Sequence, residues 1–203
     1  MKRAIAAGVV GIARLLAGGS VRQIGFEPDE RQRIYFANHT SHLDFVIVWS
    51  ALPRRLRSIT RPVAAKDYWE KGLRSYLATN VFNAVLVDRN RATEQPSNPI
   101  ETLLQGLGDR HSLIIFPEGT RGDGTTIAPF KSGLYRIGKE RPDVELVPVY
   151  IDNLNRVLPK GEFVPVPMLA SVAFGAPMRI ENGEDKNGFL DRARSAVLEL
   201  RQW

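Results

Sequence analysis

The 203-residue sequence has no cysteine and only three histidines, His39, His42 and His111. Without cysteine there is no disulfide framework, thiolate nucleophile, zinc ribbon or iron–sulfur cluster, and any metal site falls to His, Asp and Glu. Long hydrophobic runs are also missing: a bilayer span needs about 20 apolar residues, and the mean hydropathy of −0.19 excludes a polytopic membrane protein. No internal repeat or low-complexity tract interrupts the chain. What is there, 43% hydrophobic and 25% charged residues, is the composition of an ordinary globular protein. At a prior of about 150 residues per domain, the length makes one domain with a core of its own.

Positive charge is concentrated early. Residues 1–91 hold 15 Lys and Arg against 7 Asp and Glu, and residues 92–203 hold 13 against 15, within a net charge of +6. A one-sided excess suits a polyanion such as nucleic acid, an anionic bilayer or a phosphorylated small substrate, and it equally describes a well-solvated basic surface.

The chain opens on Lys2 and Arg3 and runs apolar from Ala4 to Ala17 except at Arg14. This segment is too short and too charged to span a membrane, and its broken apolar region makes a poor signal peptide. On a helix, Ile5, Val9, Ile12 and Leu16 form one stripe, with Arg3 and Arg14 opposite. We therefore divide the chain into an amphipathic N-terminal helix over residues 1–20 and a main domain over residues 21–203. The stripe suits either packing on the core or lying in a lipid interface.

From Arg33 onward, short β-prone runs alternate with helical patterns, which predicts an α/β domain with a mixed, mostly parallel sheet flanked by helices. The predicted strands are Arg33–Ala37, Pro62–Ala65, Ala84–Val87, Ser112–Phe116, Leu146–Ile151 and Ser171–Phe174. The predicted helices are Ser41–Leu52, Asp67–Thr79, Pro99–Leu107, Ser132–Lys139 and Asn187–Arg201. Irregular segments are expected at Asn90–Asn98, Gly119–Pro129 and Leu158–Pro167.

Two strand ends carry chemistry. After the first strand comes Asn38-His39-Thr40-Ser41-His42-Leu43-Asp44, leading into an apolar helix. On a continuous helix His39 and Asp44 would face about 140° apart. With His39 in the turn and Ser41 capping the helix, Asp44 falls in the first turn and reaches back to one imidazole nitrogen, leaving the other as a base. The plainer reading is a hydrogen-bonded turn histidine and a helix-terminus charge. The second end is Ser112–Phe116 running into Pro117-Glu118-Gly119-Thr120-Arg121-Gly122, where Gly119 permits close backbone approach and Arg121 offers a fork matched to phosphate. Its plainer reading is a turn closed by a Glu118–Arg121 pair.

Together these segments resemble the glycerolipid acyltransferases, the 1-acylglycerol-3-phosphate acyltransferase family. Its first motif, broadly Asn-His-x-Ser-x-x-x-Asp, is matched by Asn38, His39, Ser41 and Asp44 with a Ser-to-Asp gap of two residues rather than three, and its third, Phe-Pro-Glu-Gly-Thr-Arg, is complete at Phe116–Arg121. A second motif looks like Asn83–Arg89, with Asn83 where the family has Gly, and Asn too tolerates left-handed backbone. A fourth looks like Val147–Tyr150. The resemblance covers residues 35–150 and implies transfer of a fatty acyl group from a thioester, acyl-coenzyme A or acyl carrier protein, to the free hydroxyl of a lysophospholipid. The acceptor implied is 1-acylglycerol 3-phosphate, giving phosphatidic acid. It also implies His39 as general base, Asp44 as its partner, and Arg121 with Arg89 on the acceptor phosphate, while Glu118, Gly119 and Thr120 shape the substrate site. No resident cofactor, metal or covalent acyl-enzyme is called for, in keeping with the absence of cysteine and of a Gly-x-Ser-x-Gly elbow. The family's N-terminal membrane-binding part is expected here as the one short helix. The protein would then be cytoplasmic and peripheral on the inner, anionic face of the membrane.

Two other functions compete. A His/Asp hydrolase would use the same dyad on water. A nucleic-acid-binding module would use the basic half, with Arg54, Arg55, Arg57 and Arg61, but aromatic platforms interleaved with that run are missing and no nucleic acid partner is expected. A metal at His39, His42 and Asp44 lacks an evident further ligand.

Overall fold

The computed structural model describes residues 8, 11, 20–88, 98–152 and 170–202. Apart from residues 8, 11 and 20, the predicted N-terminal helix lies outside them, as do the segment 158–167 and most of 90–98. Seven strands form one sheet: β1 (Ser20–Gln23), β2 (Arg33–Ala37), β3 (Thr60–Ala65), β4 (Val85–Val87), β5 (Ser112–Ile115), β6 (Glu145–Asp152) and β7 (Ser171–Phe174). Their order is β1-β7-β6-β2-β5-β3-β4. Every neighbouring pair is parallel except β6 with β7, so the sheet is mixed and mostly parallel, as the alternating pattern predicts.

All five residues of β2 are buried, which is why this strand reads as a continuous apolar run and lies inside the sheet. Its side chains alternate between two cores. Tyr35 and Ala37 join the cluster of Phe45, Val48, Trp49, Leu52 and Phe174, whereas Ile34 and Phe36 join Leu107, Leu113, Ile137, Phe189 and Val197. The first cluster is covered by α1 (Asp44–Ala51), the second by α5 (Pro99–Leu107), α6 (Gly133–Glu140) and α7 (Lys186–Glu199). The result is three layers, with the sheet between two helical faces. Helix α5 has its predicted bounds because Pro99 stands at its first turn and the Asn98 side chain accepts the Ile100 amide. It packs so closely on β4 that a β-carbon on Gly106 would collide with Val85.

The differences from expectation are local. Helix α1 begins at Asp44 with Leu43 as its cap, three residues later than predicted, and Ser41 does not cap it. The predicted helix Asp67–Thr79 is broken into α3 (Lys66–Trp69), α4 (Gly72–Tyr76) and a π-turn (Leu77–Val81), parted by Gly72 at φ +60°. All four residues of β1 are exposed and Val21 is its one apolar side chain, so it carries no hydrophobic pattern. The short α2 (Arg54–Arg57) was hidden in the arginine run. Asn83, at φ 50°, is the non-glycine residue with positive φ among those described, as expected from its place opposite a family glycine. Among the described residues no helix is long and apolar enough to cross a membrane.

One feature of β3 opens the site. Thr60, Arg61 and Pro62 pair with β5, but Val63, Ala64 and Ala65 pair with β4. Proline has no N–H to continue the ladder, and past Pro62 the strand parts from β5.

Candidate active site

In parallel sheets the loops at the carboxyl ends of the strands form the ligand crevice. Strands β2 and β5 are neighbours, with Phe36 opposite Ile115, so the segments that follow them, 38–44 and 116–122, meet there. Between β5 and the diverging end of β3 lies a cleft of about 540 Å³, lined by His39, Phe116, Gly119, Thr120, Arg121 and Lys131 at one side and by Phe45, Val63, Trp69, Leu103 and Leu134 among its apolar walls.

The turn after β2 is held from every side. The Asn38 side chain bonds Ile151 in both directions, donating to its carbonyl at 2.9 Å and accepting its amide at 2.8 Å, which ties the end of β2 to β6. Asp44 is fully buried, and its Oδ2 accepts the amides of Thr40 (2.6 Å) and Ser41 (2.9 Å) and lies 2.7 Å from His39 Nδ1. An oxygen already accepting two N–H groups is an acceptor for the third, so Nδ1 carries the proton and Nε2 is the nitrogen available to the cleft. The ring, 22% exposed, stacks on Phe116 with centroids 4.3 Å apart. Asp44 Oδ1 is buried with no hydrogen-bond partner among the described residues. Asp44 thus reaches back to His39 without the expected Ser41 cap, the amides of Thr40 and Ser41 being turned into its carboxylate.

Glu118 is 3% exposed. Its Oε1 accepts the His39 amide at 2.7 Å and its Oε2 accepts the Ala128 amide at 2.9 Å. Burial raises its carboxyl above the ordinary range, against the opposing pull of these two amides. It makes no ion pair with Arg121, and among the described residues neither Arg121 nor Lys131 has an anionic partner. Two cations therefore line the cleft, which Asp67 lines as well, without an ion pair among the described residues. Nothing in the sequence around Lys131 marks it: it lies on the short segment joining the Glu118 loop to α6, and its side chain crosses Gly119, whose φ is +71°.

Thr120 is exposed on the same loop. Arg89 lies outside the described residues. His42 stacks on Tyr68, with centroids 4.1 Å apart, and among the described residues no three His, Asp or Glu side chains group to hold a metal ion. His111 lies at the opposite, amino edge of the sheet. Its pKa is lowered by burial and by Arg61 and Arg110.

A buried carboxylate bonded to an imidazole at the mouth of a cleft is an arrangement chemically able to accept a proton from a bound hydroxyl. The family model described as Acyltransferase matches residues 20–152, and the chain belongs to that family. It is 26% identical over 173 residues to a 1-acyl-sn-glycerol-3-phosphate acyltransferase of Limnanthes alba, covering 85% of this chain and 59% of that protein. To the human 1-acyl-sn-glycerol-3-phosphate acyltransferase alpha it is 26% identical over 178 residues, covering 85% and 60%. The chain thus spans less than two thirds of the length of these relatives. In fold it is similar to the crystal structure of the 1-acyl-sn-glycerophosphate acyltransferase PlsC from Thermotoga maritima, with a TM-score of 0.75 at 18% identity, over 99% of this chain and 80% of that one.

Proposed function

We propose that this protein transfers a fatty acyl group from an acyl thioester to the free hydroxyl of a lysophospholipid, with 1-acylglycerol 3-phosphate as acceptor and phosphatidic acid as product. The observation that carries this reading is the His39–Asp44 pair at a cleft also lined by Arg121 and Lys131, two cations without an ion-pair partner among the described residues. His39 Nε2 takes the proton of the acceptor hydroxyl as its oxygen attacks the thioester carbonyl. Asp44 stabilises the imidazolium that forms. The carbon–sulfur bond then breaks, and the imidazolium returns its proton to the leaving thiolate. Arg121 and Lys131, with Arg89, hold the acceptor phosphate, and the apolar walls take an acyl chain. The reaction drawn uses the thioester, of coenzyme A or acyl carrier protein, as co-substrate and no resident cofactor. The two-chain product leaves into a bilayer, so the protein works as a peripheral one on an anionic, cytoplasmic face, held by its N-terminal segment.

The test is incubation of the purified protein with lysophosphatidate and each thioester, with products identified by mass spectrometry. Phosphatidic acid lost in His39→Ala supports the reading. Free fatty acid formed at the same rate with and without acceptor makes the protein a hydrolase instead, and an active His39→Ala removes the dyad.

A further inference from the structure

We infer that Glu118 is a positioning residue for His39 and not a contact of the substrate, an inference that rests on reading His39 as the base. Glu118 does not line the cleft; it faces a cavity of about 20 Å³ on the other side of the turn, shared with Asn38 and Thr40. Both its oxygens are engaged, one by the amide of His39 and one by that of Ala128. The carbonyl of His39 in turn accepts the Gly122 amide at 2.8 Å. Both backbone polar groups of His39 are thus held by the loop spanning 118–122.

The division of labour follows from which freedoms each bond removes. Asp44 fixes the ring and, through Thr40 and Ser41, the inside of the turn, but all of these lie on one segment and would move together. The bonds from Glu118 and Gly122 cross to the loop that carries Arg121, and so set the distance between the base and the phosphate-binding cation. A carboxylate suits this because it offers two acceptors to two N–H donors in charge-assisted bonds. Glutamine would turn an NH2 toward one of those amides. Aspartate is one methylene too short to reach both.

In Glu118→Gln and Glu118→Asp, kcat should fall about tenfold to a hundredfold, the scale of a misplaced reacting group, with the acceptor KM within about twofold of the parent. Arg121→Ala, measured alongside, should raise the acceptor KM instead. A tenfold rise in acceptor KM at unchanged kcat in the Glu118 variants overturns the proposal, because Glu118 then touches the acceptor. If neither variant folds, hydrogen exchange in the unmodified protein decides: the His39 amide should be protected like the amides of β2, and exchange at the rate of an open turn overturns it. A fully active His39→Ala would instead sink the underlying reading of the base, a distinct result.

Discussion

The Lys131 ammonium lies over Gly119, with Nζ 2.6 Å from the point that a β-carbon there would occupy and Cδ and Cε at 3.0 Å. Gly119 is therefore needed twice, for its left-handed φ of +71° and for the lysine stem that crosses it. Gly119→Ala should cost about 1–2 kcal/mol of backbone strain and also push Lys131 aside. Gly72 has φ +60° but no neighbour within 4 Å of its missing β-carbon. Thermal unfolding should show a similar loss for Gly72→Ala and Gly119→Ala, whereas only the latter should raise the acceptor KM. Equal kinetics in the two variants would detach Lys131 from the site.

Asp44→Asn retains one oxygen, which the amides of Thr40 and Ser41 require where Oδ2 now lies. The new NH2 then falls at the buried Oδ1 position, where no partner exists among the described residues. Stability should drop by about 1–3 kcal/mol for the unsatisfied donor. Turnover should drop by about 10²–10⁴-fold through loss of the charge that supports the imidazolium. Denaturant titration and steady-state kinetics on the same preparation separate the two effects, and near-normal turnover would mean that His39 acts without its partner.

Arg121→Lys keeps the charge but not the planar fork, and Lys131→Ala removes a point charge. The former should weaken acceptors that carry a phosphate monoester more than those with a bulkier headgroup, while the latter should weaken both by a similar factor. Comparing acceptor KM values across a headgroup series reads this directly. Acceptor KM values unchanged across the series in both variants would place these cations on the thioester donor.

Much of this was legible in the sequence because the central strands are buried on both faces. Arg33–Ala37 and Ser171–Phe174 stand at their predicted bounds, and residue type marks the strand ends that carry His39 and Glu118 as unusual, while their assignment to a site comes from the family resemblance. What escaped has specific causes. Strand β1 is an exposed edge paired through its backbone, so its side chains hold no record of it. The split of Asp67–Thr79 depends on one glycine's backbone sign. The role of Glu118 is a bond to a backbone amide 79 residues away, which leaves no local pattern, and the cation over Gly119 becomes visible only when the loop folds back.

At the amino edge of the sheet, Asp29 accepts hydrogen bonds from Arg31 and Arg33, and its pKa is lowered from 3.8 to about 2, chiefly by the Arg31 side chain. A lowered pKa stabilises the fold above the unfolded value and loses that contribution as pH falls toward the folded one. The parent should exceed Asp29→Asn in stability by a constant margin above about pH 5, with the margin closing between pH 4 and about 2. The carboxylate is 39% exposed, so the margin is small and shrinks with salt. A margin that grows on acidification would contradict the pairing.

Under the proposed reaction the two-chain product must pass into a bilayer, which some surface of the protein must meet. The arginine run cannot serve, because α2 leads into the amino end of β3, the edge opposite the cleft. Arg55 donates to the Pro28 carbonyl and Arg57 to those of Ser50 and Leu52, while Arg61 donates to Asn83 and Gly106. These cations are engaged by backbone, which also weakens a nucleic-acid role for them. The candidate for that contact is the N-terminal stripe of Ile5, Val9, Ile12 and Leu16, with Lys2 ahead of it and Arg3 and Arg14 on the opposite face. Each apolar side chain offers about 1.5–3 kcal/mol when fully buried, reduced by ordering and partial insertion, and each nearby cation adds about 1 kcal/mol against anionic lipid. Attachment should therefore be reversible and salt-sensitive. Removing residues 2–18 should leave a folded protein that acylates short, water-soluble acceptors but no longer floats with anionic vesicles, whereas neutralising Arg54 and Arg55 should leave flotation unchanged. If the truncated protein unfolds, the stripe belongs to the core and the bilayer is met by another surface.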